Sequence, residues 1–335
     1  MRKTIFAASA SALALASLAA CGAVDTGTGN NKEQTGAASS EVSVPEQCKA
    51  DGALLAVLLP NQTNPYYVAM KEGFEEAATT HGFKAEVQIA GDDDAQQLAQ
   101  AEALLQKKPC ALALNPVKSE PAAAIVKAAN DAGVPVFTVN VLVDSKALQA
   151  QGGSIMQYLG ADNRAGGEQV AEQILTDFGK DAKLNIGFVT EPDEVPVVIR
   201  DEGFSEKIAS DPNAKIVAKV DGNVKVTDSL NVTSEMLQGN PDMNAIFAST
   251  GPAAQGALEA VQASGRDVKV YGFCAPELPL TATYPGCVAQ EPKDYGMRVV
   301  EQIRKFVNGE KIESEILRPL KAYVKGQTPA PGEVG

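Results

Sequence analysis

Leu54-Leu55-Ala56-Val57-Leu58-Leu59 is an unbroken apolar run with no polar alternation, which suits a strand covered on both faces in a parallel sheet. The residues that follow read as a helix. Asn64 can cap it and Pro65 fits its first turn; Tyr67, Met70, Phe74, Ala77 and His81 recur at spacings of three and four, and Gly82 can end it. The programme then repeats, with a strand at 85–89, a helix from about Asp94 opened by an Asp94-x-x-Gln97 capping box, a strand at 110–114, a helix at 121–132 and a strand at 134–139. A second copy begins near Asn163. It predicts helices at 163–178, up to about Ala209, at 226–238 and at 252–264, with strands at 184–189, 215–220, 245–248 and 268–271. Strands alternating with helices of this length imply doubly wound parallel sheets. Gly73-Phe74 and Gly203-Phe204, each on the first strand-to-strand helix of a half, point to two similar α/β lobes.

The N-terminus reads differently. Arg2 and Lys3 precede an Ala- and Leu-rich stretch from Ile5 to Ala19, too short for a comfortable membrane span and typical of an export signal. Leu18-Ala19-Ala20-Cys21 resembles the bacterial lipobox, which would make Cys21 the lipidated first residue of the mature chain. Residues 21–47 are dominated by Gly, Ser, Thr, Asn, Gln and Glu, and cannot bury enough apolar surface to offset their ordering entropy; a tether is their natural use. The body is therefore expected outside the cytoplasm, anchored to the membrane by lipid.

Composition narrows the function. With 42 acidic against 29 basic residues, a formal charge of -13 and no basic run, the chain lacks the footprint of a phosphate-backbone binder, so no nucleic-acid partner is expected. A single His, in Thr80-His81-Gly82, leaves little material for a His triad, a multi-His metal site or a proton shuttle. No cofactor and no metal are implied, and binding is favoured over catalysis.

In doubly wound sheets ligands sit beyond the carboxyl ends of the strands. The loops there supply Asn61, Asn64, Tyr66 and Tyr67, then Asn115, Asn140, the acidic loop from Glu191 to Arg200, Ser249, Thr250 and Cys274. Amides, hydroxyls and aromatic rings with one Arg suit a neutral, hydroxyl-bearing molecule and make poor proton-transfer chemistry.

These features together resemble the ribose-binding protein family of type I periplasmic binding proteins, the extracytoplasmic receptors of sugar ABC importers. The resemblance covers about residues 52–326. It is carried by Asn64-Pro65-Tyr66-Tyr67-Val68, Ala113-Leu114-Asn115-Pro116, Ala132-Gly133-Val134-Pro135-Val136, Gly160-Ala161-Asp162-Asn163, Arg200-Asp201-Glu202-Gly203-Phe204, Ala245-Ile246-Phe247-Ala248, Val270-Tyr271-Gly272-Phe273 and Ala289-Gln290. The family implies two Rossmann-like lobes joined by three hinge crossings, here near 161, 290 and 319, closing on a monosaccharide, with an ABC permease as partner and a monomer as the working unit. The divisions become a signal at 1–20, a tether at 21–47, an N-terminal lobe at 48–161 with 291–318, a C-terminal lobe at 162–290 with 319–326, and a tail at 327–335. By the same resemblance Asn64 bonds the sugar, Tyr66 and Tyr67 sandwich or flank it, Arg200 donates a forked pair of bonds to hydroxyls and Gln290 adds an amide from the hinge.

This chain departs from the family pattern at three ligand positions. Asn140-Val141 stands where an Asp-Arg pair is common, Thr250-Gly251 where Asn-Asp is common, and Cys274 where Gly-Phe-Asp ends. A fully hydroxylated sugar would leave hydroxyls unpaired, at about 1–3 kcal/mol for each buried group. A deoxy sugar, a small polyol or another neutral polar metabolite is expected instead.

Cys48, Cys110, Cys274 and Cys287 allow three pairings in an oxidising compartment. In a sheet of order 2-1-3 the segments bearing Cys48 and Cys110 are neighbours, so the expected pairs are Cys48 with Cys110 and Cys274 with Cys287, the second forming an apolar wall at the pocket rim. Gly91-Asp92-Asp93-Asp94 lacks calcium-loop spacing and reads as a helix start. Glu191, Asp193 and Glu194 lack a placed partner for glycosidase chemistry and read as a solvated loop. Two functions of one fold remain, an importer's receptor and a lipoprotein sensor that presents its closed state to a membrane signalling receptor.

Overall fold

The computed structural model describes residues 43–335. The export signal and Cys21 lie outside the described residues. Of the stretch read as tether, residues 43–47 already engage the body: Val44 packs on the core and Gln47 donates to the Pro109 carbonyl at 3.2 Å. A 3-10 turn at Glu46–Lys49 then buries Cys48.

One six-stranded sheet is built from β1 (Ala53–Leu59), β2 (Phe83–Ile89), β3 (Ala111–Leu114), β4 (Val136–Val139), β5 (Gln157–Ala161) and β11 (Glu315–Arg318). Its order is β11-β5-β4-β3-β1-β2, parallel throughout. The second sheet contains β6 (Leu184–Thr190), β7 (Ala214–Asp221), β8 (Ala245–Ala248), β9 (Lys269–Phe273), β10 (Gly286–Ala289) and β12 (Lys321–Val324). Its order, β12-β10-β9-β8-β6-β7, has the same pattern, and only the β10–β12 pair is antiparallel. Between the strands run α1 (Pro65–Thr80), α2 (Asp94–Leu105), α3 (Ala122–Asp131), α4 (Ser145–Gln151), α5 (Asn163–Phe178), α6 (Val195–Ile208), α7 (Val226–Gly239), α8 (Gly251–Ser264) and α9 (Pro292–Val307). The chain passes between sheets after β5, after β10 and after β11, the three expected crossings.

The unbroken apolar run has a direct explanation. Leu55, Val57 and Leu59 enter one core cluster, while Ala56 and Leu58 enter another on the opposite face of the sheet. In the second lobe β8 divides likewise, Ile246 and Ala248 to one side and Ala245 and Phe247 to the other. With helices on both faces every position of a central strand is internal, so alternation disappears.

One local expectation is corrected. The cap of α2 is Asp93, whose side chain accepts from the Gln96 amide at 2.9 Å, and Asp94 is the first helical residue. Gln97 does not close a capping box: buried, it donates to the Asn115 carbonyl and accepts from the Val117 amide, both at 2.9 Å, and so ties α2 to the loop after β3. Both disulfides are formed, Cys48–Cys110 with Cα atoms 4.7 Å apart and Cys274–Cys287 with 5.0 Å. Among the described residues no helix is long and apolar enough to cross a membrane.

Candidate ligand-binding site

The loops at the carboxyl ends of both sheets converge between the lobes. From the first lobe, Asn64 caps α1 by accepting from the Tyr66 amide at 3.0 Å. The cap uses the oxygen, so a bond from Asn64 to a ligand would come from its Nδ2. It also sets the first turn that presents Tyr66 and Tyr67, whose rings stand edge to face at 5.4 Å and 80°. A flat ligand can therefore lie face-on to only one of them.

Asn140, directly after β4, holds a left-handed backbone with φ 60° while almost fully buried. That conformation is costly for a residue with a side chain and persists only where surrounding bonds over-determine it. The bonds are present. Tyr158 donates its hydroxyl to the Asn140 carbonyl at 2.9 Å, and the Asn140 amide nitrogen donates to the Leu159 carbonyl at 2.9 Å. The Tyr66 hydroxyl lies 2.9 Å from Asn140 Oδ1 and 3.1 Å from Gln290 Oε1. One hydroxyl proton serves one acceptor, so the second contact becomes a bond when that amide turns its NH2 toward Tyr66. Gln290 follows β10 on a crossing segment, and this triangle links the first lobe to the hinge.

From the second lobe, Arg200 projects from α6 and is 4% exposed. Its Nε donates to Asn163 Oδ1 at 2.7 Å, its Nη1 donates to the Ser249 carbonyl at 2.9 Å, and the guanidinium lies 3.9 Å above the Phe273 ring. Asp201 steadies this arrangement, accepting from Ser249 Oγ at 2.6 Å, from the Thr190 hydroxyl and from Lys219 Nζ at 2.9 Å. Two of the five guanidinium N–H groups are thus spent, and both on Nη2 have no protein partner among the described residues.

The remaining residues named from the sequence are placed less openly. The Thr250 hydroxyl caps α8, accepting from the Ala253 amide at 3.2 Å. Cys274 is fully buried in its disulfide; its amide donates to the Val288 carbonyl and its carbonyl accepts from the Gly335 amide, both at 2.9 Å, so it offers no open polar group. The loop read as solvated is partly internal. Burial pushes the Glu191 carboxyl up to about 7, although the Asp193 amide bond opposes the shift; burial, reinforced by Glu191, pushes Glu194 up to about 8. Residues without a sequence signal also belong to the cluster. Tyr158 and Tyr295 are buried beside Tyr66, and the Tyr295 hydroxyl has no partner among the described residues. Their Tyr type gave no signal of cleft position. Asn163 was visible only within the Gly160-Ala161-Asp162-Asn163 motif, not as the acceptor that orients Arg200.

The sequence and the fold are similar to those of known proteins. The profile of the periplasmic binding protein domain matches residues 55–311. The ribose import binding protein RbsB of Bacillus subtilis (strain 168) is 33% identical over 264 residues, covering 77% of this chain and 83% of that protein. The chain belongs to the ribose-binding protein branch of the type I periplasmic binding proteins. Further from this binding protein is the D-apiose import binding protein of Actinobacillus succinogenes, 26% identical over 67% of this chain and 70% of the relative. Among solved structures, an ABC transporter solute binding protein from Actinobacillus succinogenes 130z with bound D-allose superposes with a TM-score of 0.72 at 28% identity, covering 82% of this chain and 97% of that one. One from Agrobacterium vitis bound to alpha-D-tagatopyranose gives 0.74 at 22% identity, over 82% and 95%. For this binding protein the latter establishes the shared fold.

Proposed function

We propose that this binding protein is the extracytoplasmic receptor of an ABC importer, non-enzymatic, holding a neutral monosaccharide or small polyol between its lobes and presenting the closed form to the permease. Residues 48–161 with 291–318 form one lobe and residues 162–290 with 319–326 the other, and closure occurs by bending at the three crossings. The observation that carries the reading is the convergence of Tyr66, Asn140, Gln290 and the unspent edge of Arg200 between the two sheets. Amide and guanidinium donors beside aromatic faces are what a hydroxylated, uncharged ring needs to bind in competition with water.

The ligand has fewer hydroxyls to satisfy than a fully hydroxylated sugar. Thr250 uses one lone pair of its hydroxyl on a helix cap and Cys274 its sulfur on a disulfide, so neither side chain offers the carboxylate acceptor that a further sugar hydroxyl would need. The relatives named for ribose, D-apiose and D-allose keep the proposal within small sugars. Cys21 carries the lipid that holds the protein at the membrane, and Cys21→Ala should release it to the soluble fraction.

The test is a melting series on exported, ligand-stripped protein against pentoses, hexoses, deoxy sugars, polyols and nucleosides. A ligand at 100 times its dissociation constant adds about 2.7 kcal/mol, a shift of several degrees. A shift with one narrow group of neutral sugars or polyols is expected. No shift with any neutral polyhydroxyl compound overturns the sugar reading, and sub-micromolar ribose binding overturns the reduced hydroxyl count.

A further inference from the structure

Residues 329–335 leave β12 as a Pro- and Gly-rich segment with no periodic pattern, yet their end is built into the molecule. Glu333 is buried and accepts from the Tyr323 hydroxyl, from Lys321 Nζ and from the Ala330 amide at 3.2 Å, fastening the segment to β12. Val334 is 2% exposed and joins the first-lobe cluster that contains Tyr66 and Tyr295, while its main chain exchanges two bonds with Gln290 at 2.7 and 3.2 Å. Gly335 then enters the second lobe. Its amide donates to the Cys274 carbonyl at 2.9 Å, and its main-chain oxygen accepts from the Gly251 amide, at the N-terminus of α8, at 2.8 Å. A methyl group at Gly335 would overlap Phe273, the ring beneath Arg200.

Three residues therefore engage both lobes and the hinge, and they do so among the groups that form the cleft. Gln290 bonds Tyr66 through its side chain and Val334 through its main chain. Cys274 and Gly251 follow β9 and β8, at the ligand end of the second sheet. The main-chain donors of Gln290 and Gly251 and the acceptors of Gln290 and Cys274 are all taken by the segment. Without it these four groups would be available to hydroxyls of a larger or more hydroxylated ligand. We infer that Val334 and Gly335 are a specificity element of the cleft: they wall off its second-lobe floor, contact the bound sugar, and limit it to a smaller sugar than the two lobes alone would admit. The inference rests on the receptor function proposed above.

The experiment compares three exported proteins: the full-length wild type, the chain shortened to end at Gln327, and full-length Gly335→Val, which displaces the segment without removing it. Each is titrated calorimetrically with D-ribose, D-allose, D-fucose and myo-inositol, and amide hydrogen exchange is followed at Gln290 and Gly251. In both variants the tightest wild-type ligand should weaken about tenfold or more, and its preference over the larger, more hydroxylated sugars should fall about fivefold or more. The two amides should exchange slowly in wild type and fast in both variants. Folded variants whose affinities and preferences stay within about twofold of wild type overturn the inference. If wild type binds none of the four, the sugar reading has failed separately, and the exchange decides: fast exchange of Gln290 and Gly251 in wild type rejects the segment as a cleft element, and protection that both variants lose supports it.

Discussion

In the proposed site Arg200 carries the second lobe's contribution. Its position is set by Asn163, Ser249 and Phe273, so a substitution alters both the free protein and the complex. Arg200→Lys keeps the charge but cannot reproduce the planar fork. Losing a charge-assisted pair costs about 1.5–3 kcal/mol, so sugar affinity should fall about 10- to 100-fold by calorimetry. The melting temperature of the free protein should fall as well, because the Asn163 oxygen and the Ser249 carbonyl lose their buried donor. A second residue-scale prediction follows from the carboxyls pushed up to about 7 at Glu191 and about 8 at Glu194 by burial. A folded pKa raised above the unfolded one means that the folded protein keeps a proton the unfolded chain has released. The resulting stability is fully present below the ordinary carboxylate range and is lost as pH rises through 7 to 8. The melting temperature of ligand-free protein should decline across that window, and Glu191→Gln with Glu194→Gln should flatten the decline; an unchanged slope in the double variant would show that other groups set it.

Helix crossings carry these residues, and the crossings are built on glycine. Gly73 of α1 lies against the Lys293 carbonyl of α9, and Gly296 of α9 lies against Met70; in the second lobe Gly167 of α5 meets the Arg200 carbonyl of α6, and Gly203 of α6 meets Arg164. A methyl group at any of these positions would overlap main-chain atoms that have nowhere to yield. Gly203→Ala should therefore destabilise by about 1–3 kcal/mol in denaturant titration. Gly167→Ala should cost a similar amount and also weaken sugar binding, because it pushes on the main chain of Arg200 itself. Equal affinity in wild type and Gly167→Ala would mean that α6 absorbs the strain away from the cleft. These crossings also explain what could be read from the chain. The Gly-Phe pairs and the unbroken strand runs are signals of close packing and of two-sided burial, and both are written locally. Asp93 rather than Asp94 as the cap of α2 is a choice among three adjacent Asp residues that local chemistry barely separates. The short edge strands β11 and β12 are largely exposed and carry little apolar pattern. Asn163 and Ser249 lie far from Arg200 in sequence, so their grip on it exists only in three dimensions, as does the hold of Gln290 on Val334.

At the scale of the whole molecule, the two lobes are joined by loop contacts as well as by the hinge segments. At the rim the loop after β3 meets the loop after β6. Lys118 Nζ lies 2.8 Å from Asp193 Oδ2, the Ser119 amide donates to the Asp193 carbonyl at 3.2 Å, and Ser119 Oγ accepts from the Val195 amide at 2.9 Å. Each bond joins a loop of one sheet to a loop of the other, so on the hinge closure proposed above it would hold only in a closed arrangement. Both side chains of the ion pair are substantially exposed, which places its worth at about 0–1 kcal/mol, and the Ser119 hydroxyl adds about 0.5–1.5 kcal/mol. Asp193→Lys sets a second cation opposite Lys118 and reverses the sign of the ion pair; Ser119→Ala removes the hydroxyl that accepts from Val195 and leaves the main-chain bond. Together they should disfavour closure by about 1–2 kcal/mol, a factor of roughly 5–30 in the closed-to-open ratio. On the proposed closure, in which only the closed form encloses the sugar, apparent affinity should drop by up to that factor, although no proposed ligand-contacting residue has changed. The loss from Asp193→Lys should shrink at high salt, where exposed charges are screened, while the loss from Ser119→Ala should persist. Small-angle scattering of the ligand-free double variant should show a larger radius of gyration than wild type, converging with it once sugar is saturating. Unchanged affinity alongside an unchanged radius would mean that the rim contacts merely accompany closure and that the hinge segments, with Gln290 at their centre, set its equilibrium.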